Sequence, residues 1–148
     1  MNTALPNLLR PFAWLGLLLA VSLAACAGQP AAAPSPVSLV GTEWRLEALG
    51  DSAVMERSQA TLTFPEAGRV AGNGSCNRFF GSVRITQGHI GFDQMGSTKM
   101  ACMGPANEQE VRYLAALQKA ERYELRGRTL LIHVKGMAQP LRFAQTAP

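Results

Sequence analysis

After Gly41 the chain alternates apolar and polar residues with period two. Trp44 and Leu46 oppose Arg45 and Glu47, and Leu62 and Phe64 oppose Thr61 and Thr63. Successive side chains of an extended segment point to opposite faces, so this pattern predicts half-buried strands. From Arg78 to Ile85, Phe79, Val83 and Ile85 share one face and Arg78, Ser82 and Arg84 the other, while Phe80 falls on the polar face against the pattern. Gln87-Gly88 predicts a turn into a strand carrying Ile90 and Phe92. Further on, Tyr123 and Leu125 lead through Arg126-Gly127-Arg128 to Leu130, Ile132 and Val134, and Gly136 and Pro140 bound a last strand with Leu141 and Phe143.

One segment, Pro105 to Ala120, departs from period two. It opens on Pro, carries Glu108 and Glu110 early and Lys119 late, and spaces Val111, Leu114 and Leu117 as one helical face. This predicts an amphipathic helix of about four turns. The expected fold class is α+β: a strongly curved, mostly antiparallel sheet of about seven or eight strands packed by one amphipathic helix. Gly72-Asn73-Gly74 has no third glycine and no following helix, so it is not a nucleotide-binding loop. It is expected to be a turn in which glycine takes positive φ and presents Cys76 and Asn77.

The amino-terminal part has a different character. Arg10 precedes an uncharged, mostly apolar run from Pro11 to Ala27, too short for an uncleaved membrane span and ending in small residues. Its close, Leu23-Ala24-Ala25-Cys26, resembles the lipobox of bacterial lipoproteins. The resemblance implies cleavage after residue 25 and acylation of Cys26. Several acyl chains, at about 0.8 kcal/mol per buried methylene, anchor a protein essentially permanently. Ala27 is not the Asp that retains many lipoproteins in the inner membrane, so the outer membrane, facing the periplasm, is the expected destination. From 27 to 38 the sequence holds Pro30, Pro34 and Pro36, no charge and no large apolar residue before Val37. Such a tether extends to about 37 Å at most. The expected organisation is a leader over 1–25, a lipidated tether over 26–38 and one domain over 39–146.

Fourteen Lys and Arg stand against ten Asp and Glu; without Arg10 the mature chain is mildly basic. Arg45, Arg57, Arg69, Arg78, Arg84, Arg112, Arg122, Arg126, Arg128 and Arg142 are dispersed among acids. They form no basic run with stacked aromatics, so a nucleic-acid partner is not expected. With Cys26 committed to lipid, Cys76 and Cys102 remain as an even pair in an exported chain, and a disulfide is the default. Closing a loop of about 25 residues, it contributes on the order of 3.5 kcal/mol. A metal site of Cys76, Cys102, His89 and His133 competes with this reading, but the spacings contain no CxxC or HxxxH. A Cys–His nucleophile lacks an identifiable orienting acid. No metal, no cofactor and no catalytic set are expected.

Three stretches together carry a family resemblance: Gly41-Thr42-Glu43-Trp44-Arg45-Leu46, Gly72-Asn73-Gly74-Ser75-Cys76-Asn77-Arg78-Phe79-Phe80-Gly81, and Ser97-Thr98-Lys99-Met100-Ala101-Cys102. They resemble the META/HslJ domain, whose pattern continues with a helix bearing an acid before an aromatic-Leu pair and with a final hairpin. Glu110, Tyr113-Leu114 and Leu117 match the helix, and Tyr123 through Val134 the hairpin, so the likeness runs from Val40 to Phe143. Ser75 departs from it, where many relatives have Gly. The resemblance implies a compact α+β fold and an association with the envelope or heat stress, without an established enzymatic activity. Fold transfers from such a likeness better than chemistry does. Asn77, Arg78, Thr98 and Lys99 form a candidate contact surface, alongside their role in building the turn. The expected function is a non-catalytic envelope lipoprotein with a binding or structural role in envelope integrity or stress response. Its expected partners are the membrane, through the anchor, and another envelope protein. The alternatives are a carrier of a small apolar ligand or lipid, and a thiol- or metal-dependent enzyme.

Overall fold

The computed structural model describes residues 38–146. The leader, Cys26 and the tether up to residue 37 lie outside the described residues. Nine strands and one helix follow in order: β1 (Glu43–Leu49), β2 (Ser52–Ala53), β3 (Thr61–Thr63), β4 (Arg69–Asn73), β5 (Arg78–Thr86), β6 (His89–Ser97), α1 (Pro105–Leu117), β7 (Ala120–Arg126), β8 (Thr129–Val134) and β9 (Leu141–Gln145). Every strand pairing is antiparallel. Strand β1 pairs with both β3 and β9, so eight strands close into a barrel, and β2 is a short addition beside the end of β1. Closure removes the free edges that an open sheet would expose.

Curvature has local causes. Glu47 is an extra residue in β1, between Leu46 opposite Phe143 and Ala48 opposite Arg142. Gln94 and Met95 together oppose Gly81 alone, and Glu121 is the extra residue between Ala120 and Arg122. Each bulge bends its strand and increases its twist. The joint between β6 and β7 is thin, with the single register pair His89 and Arg122, and α1 lies in the chain between these two strands.

Most inward residues are those the alternation nominated, although Ile85, Tyr123 and Leu125 are only partly buried and Leu49 and Val70 join the core unannounced. Trp44, Leu46, Leu62, Phe64, Phe79, Val83, Ile90, Phe92, Leu130, Ile132, Val134, Leu141 and Phe143 are buried. Burying one such side chain contributes about 1.5–3 kcal/mol, and their sum holds the barrel against chain entropy. The indole N–H of Trp44 donates to Thr42 Oγ1 at 2.7 Å, so the largest core side chain leaves no polar atom unsatisfied.

Helix α1 departs from its expected extent and face. It ends at Leu117 rather than Ala120, because Lys119 already pairs with the sheet: its carbonyl accepts the Lys135 N–H at 2.9 Å. Val111 points to solvent at 60 % exposure, while Gln109, Glu110, Tyr113, Ala116 and Leu117 face inward. The Tyr113 ring meets Phe79 edge-on at 5.8 Å between centroids and lies 6.1 Å from Phe143. Its hydroxyl donates to the Thr61 carbonyl at 3.2 Å. The helix thereby covers the barrel end where β4 turns into β5.

The glycine turn is also corrected. Gly72 and Asn73 belong to β4, and neither Gly72 nor Gly74 has positive φ. A Cβ on Gly72 would lie 2.2 Å from the Thr61 carbonyl oxygen, and one on Gly74 would lie 2.6 Å from Glu110 Cγ. Glycine is used there for close approach. The left-handed position is Ser75, at φ 109°.

Candidate functional site: a clamped junction and the surface beside it

The polar end of α1 meets two connections, the β4–β5 turn and the segment after β6. Glu110 is buried beneath them. Its Oε2 accepts the backbone N–H groups of Cys76, at 3.1 Å, and of Asn77, while Oε1 accepts the Asn77 side-chain amide at 2.8 Å. Three donors on one carboxylate replace the water lost on burial, and charge-assisted bonds of this kind are about twice as strong as neutral ones. Asn77 relays the grip: its Oδ1 accepts the Thr98 hydroxyl at 2.9 Å and the Met100 N–H at 2.7 Å. Gln109 acts one residue earlier. Its Oε1 accepts the Met55 N–H at 2.7 Å, and its amide donates to the Ser58 and Ser75 hydroxyls at 2.7 and 2.6 Å. Among the described residues no buried side-chain polar atom lacks a partner.

The same two connections are joined covalently. The sulfurs of Cys76 and Cys102 are at disulfide distance, with Cα atoms 6.0 Å apart. The segment 98–102 is therefore fixed three ways: by the sulfur pair, by Asn77, and by the Thr98 N–H, which donates to the Arg78 carbonyl at 3.0 Å.

Of the four residues expected on a contact surface, three are exposed and one is not. Arg78, Thr98 and Lys99 are at the surface, whereas Asn77 is only 5 % exposed. Asn77 is a corrected assignment: both ends of its amide are used within the fold, so it shapes the surface from beneath. Beside the other three stand apolar side chains that the pattern of the sequence did not place together. Phe80, one period beyond Arg78 on the same face of β5, is 60 % exposed and lies over Gly96. Met100 and Met103 are 60 % and 91 % exposed. Cys26, the expected lipidation site, lies outside the described residues.

Sequence reasoning matched Glu110 to a family position but gave neither it nor Gln109 a role. A signal existed: Glu110, Tyr113 and Leu117 are spaced as one helical stripe, so a carboxylate shares the buried face. A buried carboxylate requires donors, and the turn facing it supplies them. Burial also raises the Tyr113 phenol well above its ordinary value. The two histidines lie elsewhere. His89 is exposed on β6, and His133 on β8 has Nε2 at 2.9 Å from Glu124 Oε1. Hydrogen bonds from Arg126 and then His133 hold the Glu124 carboxylate below its usual range. Among the described residues no three of His, Cys, Asp and Glu converge as a metal-binding set.

Comparison with known proteins fits this architecture. A solved structure of a protein from Burkholderia xenovorans superposes with a TM-score of 0.63 at 27 % identity, covering 82 % of this chain and 97 % of that one. A second solved protein gives 0.58 at 22 % identity over 72 % and 90 %, a likeness of fold. No curated protein matches the chain. The family model described as META domain matches residues 37–147, which include the tryptophan strand, the cysteine-bearing turn and the helix with its buried acid. This chain belongs to the META domain family.

Proposed function

We propose that this chain is a non-catalytic, lipid-anchored protein of the bacterial envelope, held by Cys26 at the outer membrane and facing the periplasm. In this reading it binds another envelope component, in maintaining the envelope or under stress. One observation carries the binding role: Arg78, Phe80, Lys99, Met100 and Met103 are presented to solvent by backbone that Asn77, Glu110 and the sulfur pair hold in place. Exposed aromatic and methionine side chains on a fixed base are the usual anchors of protein interfaces, and Arg78 and Lys99 favour a partner segment that is apolar and acidic. The carrier alternative has less support, because Trp44, Phe64, Phe79, Tyr113 and Phe143 fill the barrel interior. Of the enzyme alternatives, the thiol-dependent one would need a free thiol, and Cys76 and Cys102 are within bonding distance of each other; the metal-dependent one would need His89 and His133 beside them, and His133 is instead paired with Glu124.

The test is crosslinking in intact cells followed by mass spectrometry, comparing the full chain with Phe80→Glu and Met103→Glu. Both variants should keep the circular dichroism and melting temperature of the parent and lose the specific partner by about tenfold or more. Equal capture by all three chains, or substrate turnover by the purified chain, would overturn the reading.

A further inference from the structure

Arginines far apart in the sequence meet on the outer wall of the barrel. The bulge in β1 sets Glu47 between two of them: Oε1 is 3.7 Å from Arg45 Nη2, and Oε2 is 3.5 Å from Arg142 Nε on β9. A third, Arg57, comes from the connection between β2 and β3. The three line one open groove of about 460 Å³, with Leu46, Glu47, Val54, Met55 and Ser58 completing its walls. Three guanidiniums and one carboxylate leave a formal excess of two positive charges.

Two features show that this groove is built. Its loop wall is pinned from inside, since Gln109 accepts the Met55 N–H and donates to Ser58 Oγ. Arg57, between these two fixed residues, has φ 55°, a left-handed conformation in which an L side chain is strained and glycine is not. A charged side chain held at such a position, beside two further arginines, calls for an explanation in binding. Each guanidinium offers several donors, and the single carboxylate between Arg45 and Arg142 engages few of them.

We propose that this groove binds a phosphate monoester group, free or as a lipid headgroup. A dianion matches the excess charge, and its three terminal oxygens match three guanidinium forks better than a monoanionic carboxylate would. Val54 and Met55 offer an apolar wall for the attached carbon chain. The site is separate from the surface of Phe80 and Met103, and the proposal does not depend on it.

The test titrates the full chain in neutral detergent with glycerol phosphate, followed by calorimetry. A parallel arm uses phosphatidylcholine vesicles with and without phosphatidate. Saturable one-to-one binding is expected in one arm: glycerol phosphate if the source is a soluble metabolite, phosphatidate vesicles if it is a lipid. Arg57→Gly should weaken that binding about tenfold or more while melting at the same or a higher temperature, because the substitution removes a guanidinium and relieves strain together. Arg142→Gln should weaken it similarly, and Arg84→Gln, which removes the partner of Asp93 on another part of the wall, should not. No saturable binding in either arm, or equal loss in Arg84→Gln and Arg57→Gly, would overturn the proposal.

Discussion

Glu110 illustrates how one side chain sets a local structure. The N–H groups of Cys76 and Asn77 face inward at a turn, where water cannot reach them, and the carboxylate satisfies both as well as the Asn77 amide. Removing it leaves the two backbone donors without acceptors, each costing about 1–3 kcal/mol, and the Asn77 amide with only Cys76 Sγ to accept from it. Glu110→Ala should therefore destabilise the fold by about 3 kcal/mol or more in urea unfolding. Glu110→Gln, which places an amide donor against donors on one side, should fall between Ala and the parent; a Gln variant as stable as the parent would remove Glu110 from this role. Tyr113 carries a pH dependence. Its phenol is held protonated by burial, whereas in the unfolded chain it ionises near about pH 10. Its contribution is complete below that value and is lost as pH rises above it, with a slope of up to about 1.4 kcal/mol per pH unit. Unfolding at alkaline pH should show this fall in the parent and a shallower one in Tyr113→Phe.

Among the elements, the segment after β6 depends most on links made outside itself. Reducing the sulfur pair releases a loop with a sequence separation of 26 residues, worth about 3.5 kcal/mol by chain entropy. For a domain of this size that corresponds to a fall in melting temperature on the order of 10 °C or more. Glu110 and Asn77 would still hold the turn, so the reduced chain should keep its strand signal in circular dichroism at room temperature while melting earlier. An unchanged melting temperature after reduction would show that the bond adds nothing. These elements were legible in the sequence to different degrees. The hairpins of β5 with β6 and of β7 with β8 could be read because alternation and turn residues lie within one short window. The inward face of α1 could not, since Gln109 and Glu110 are buried through partners at 55–58 and 75–77 that no local pattern reveals. For the same reason Asn77 was placed at the surface: a polar side chain reads as exposed until its partners are known. Phe80 was visible as an exception to the alternation, and exposure beside the clamp gives that exception a place.

For the whole molecule, closure through β1 and β9 joins residues about a hundred positions apart, as in the pairing of Trp44 with Gln145, and periodicity alone could indicate curvature but not a ring. The bulges at Glu47, Gln94 and Glu121 that bend the strands leave no mark in the alternation until pairing is known. A closed barrel with a packed interior and one end sealed by a helix leaves binding to its outside, which suits the proposed lipid-anchored domain. The most direct test of that account is the intact mass of the chain extracted from membranes, with thiol labelling before and after reduction. The account predicts a chain beginning at an acylated Cys26 that takes no label until reduction exposes Cys76 and Cys102. An unacylated start, or two thiols that label without reduction, would contradict it.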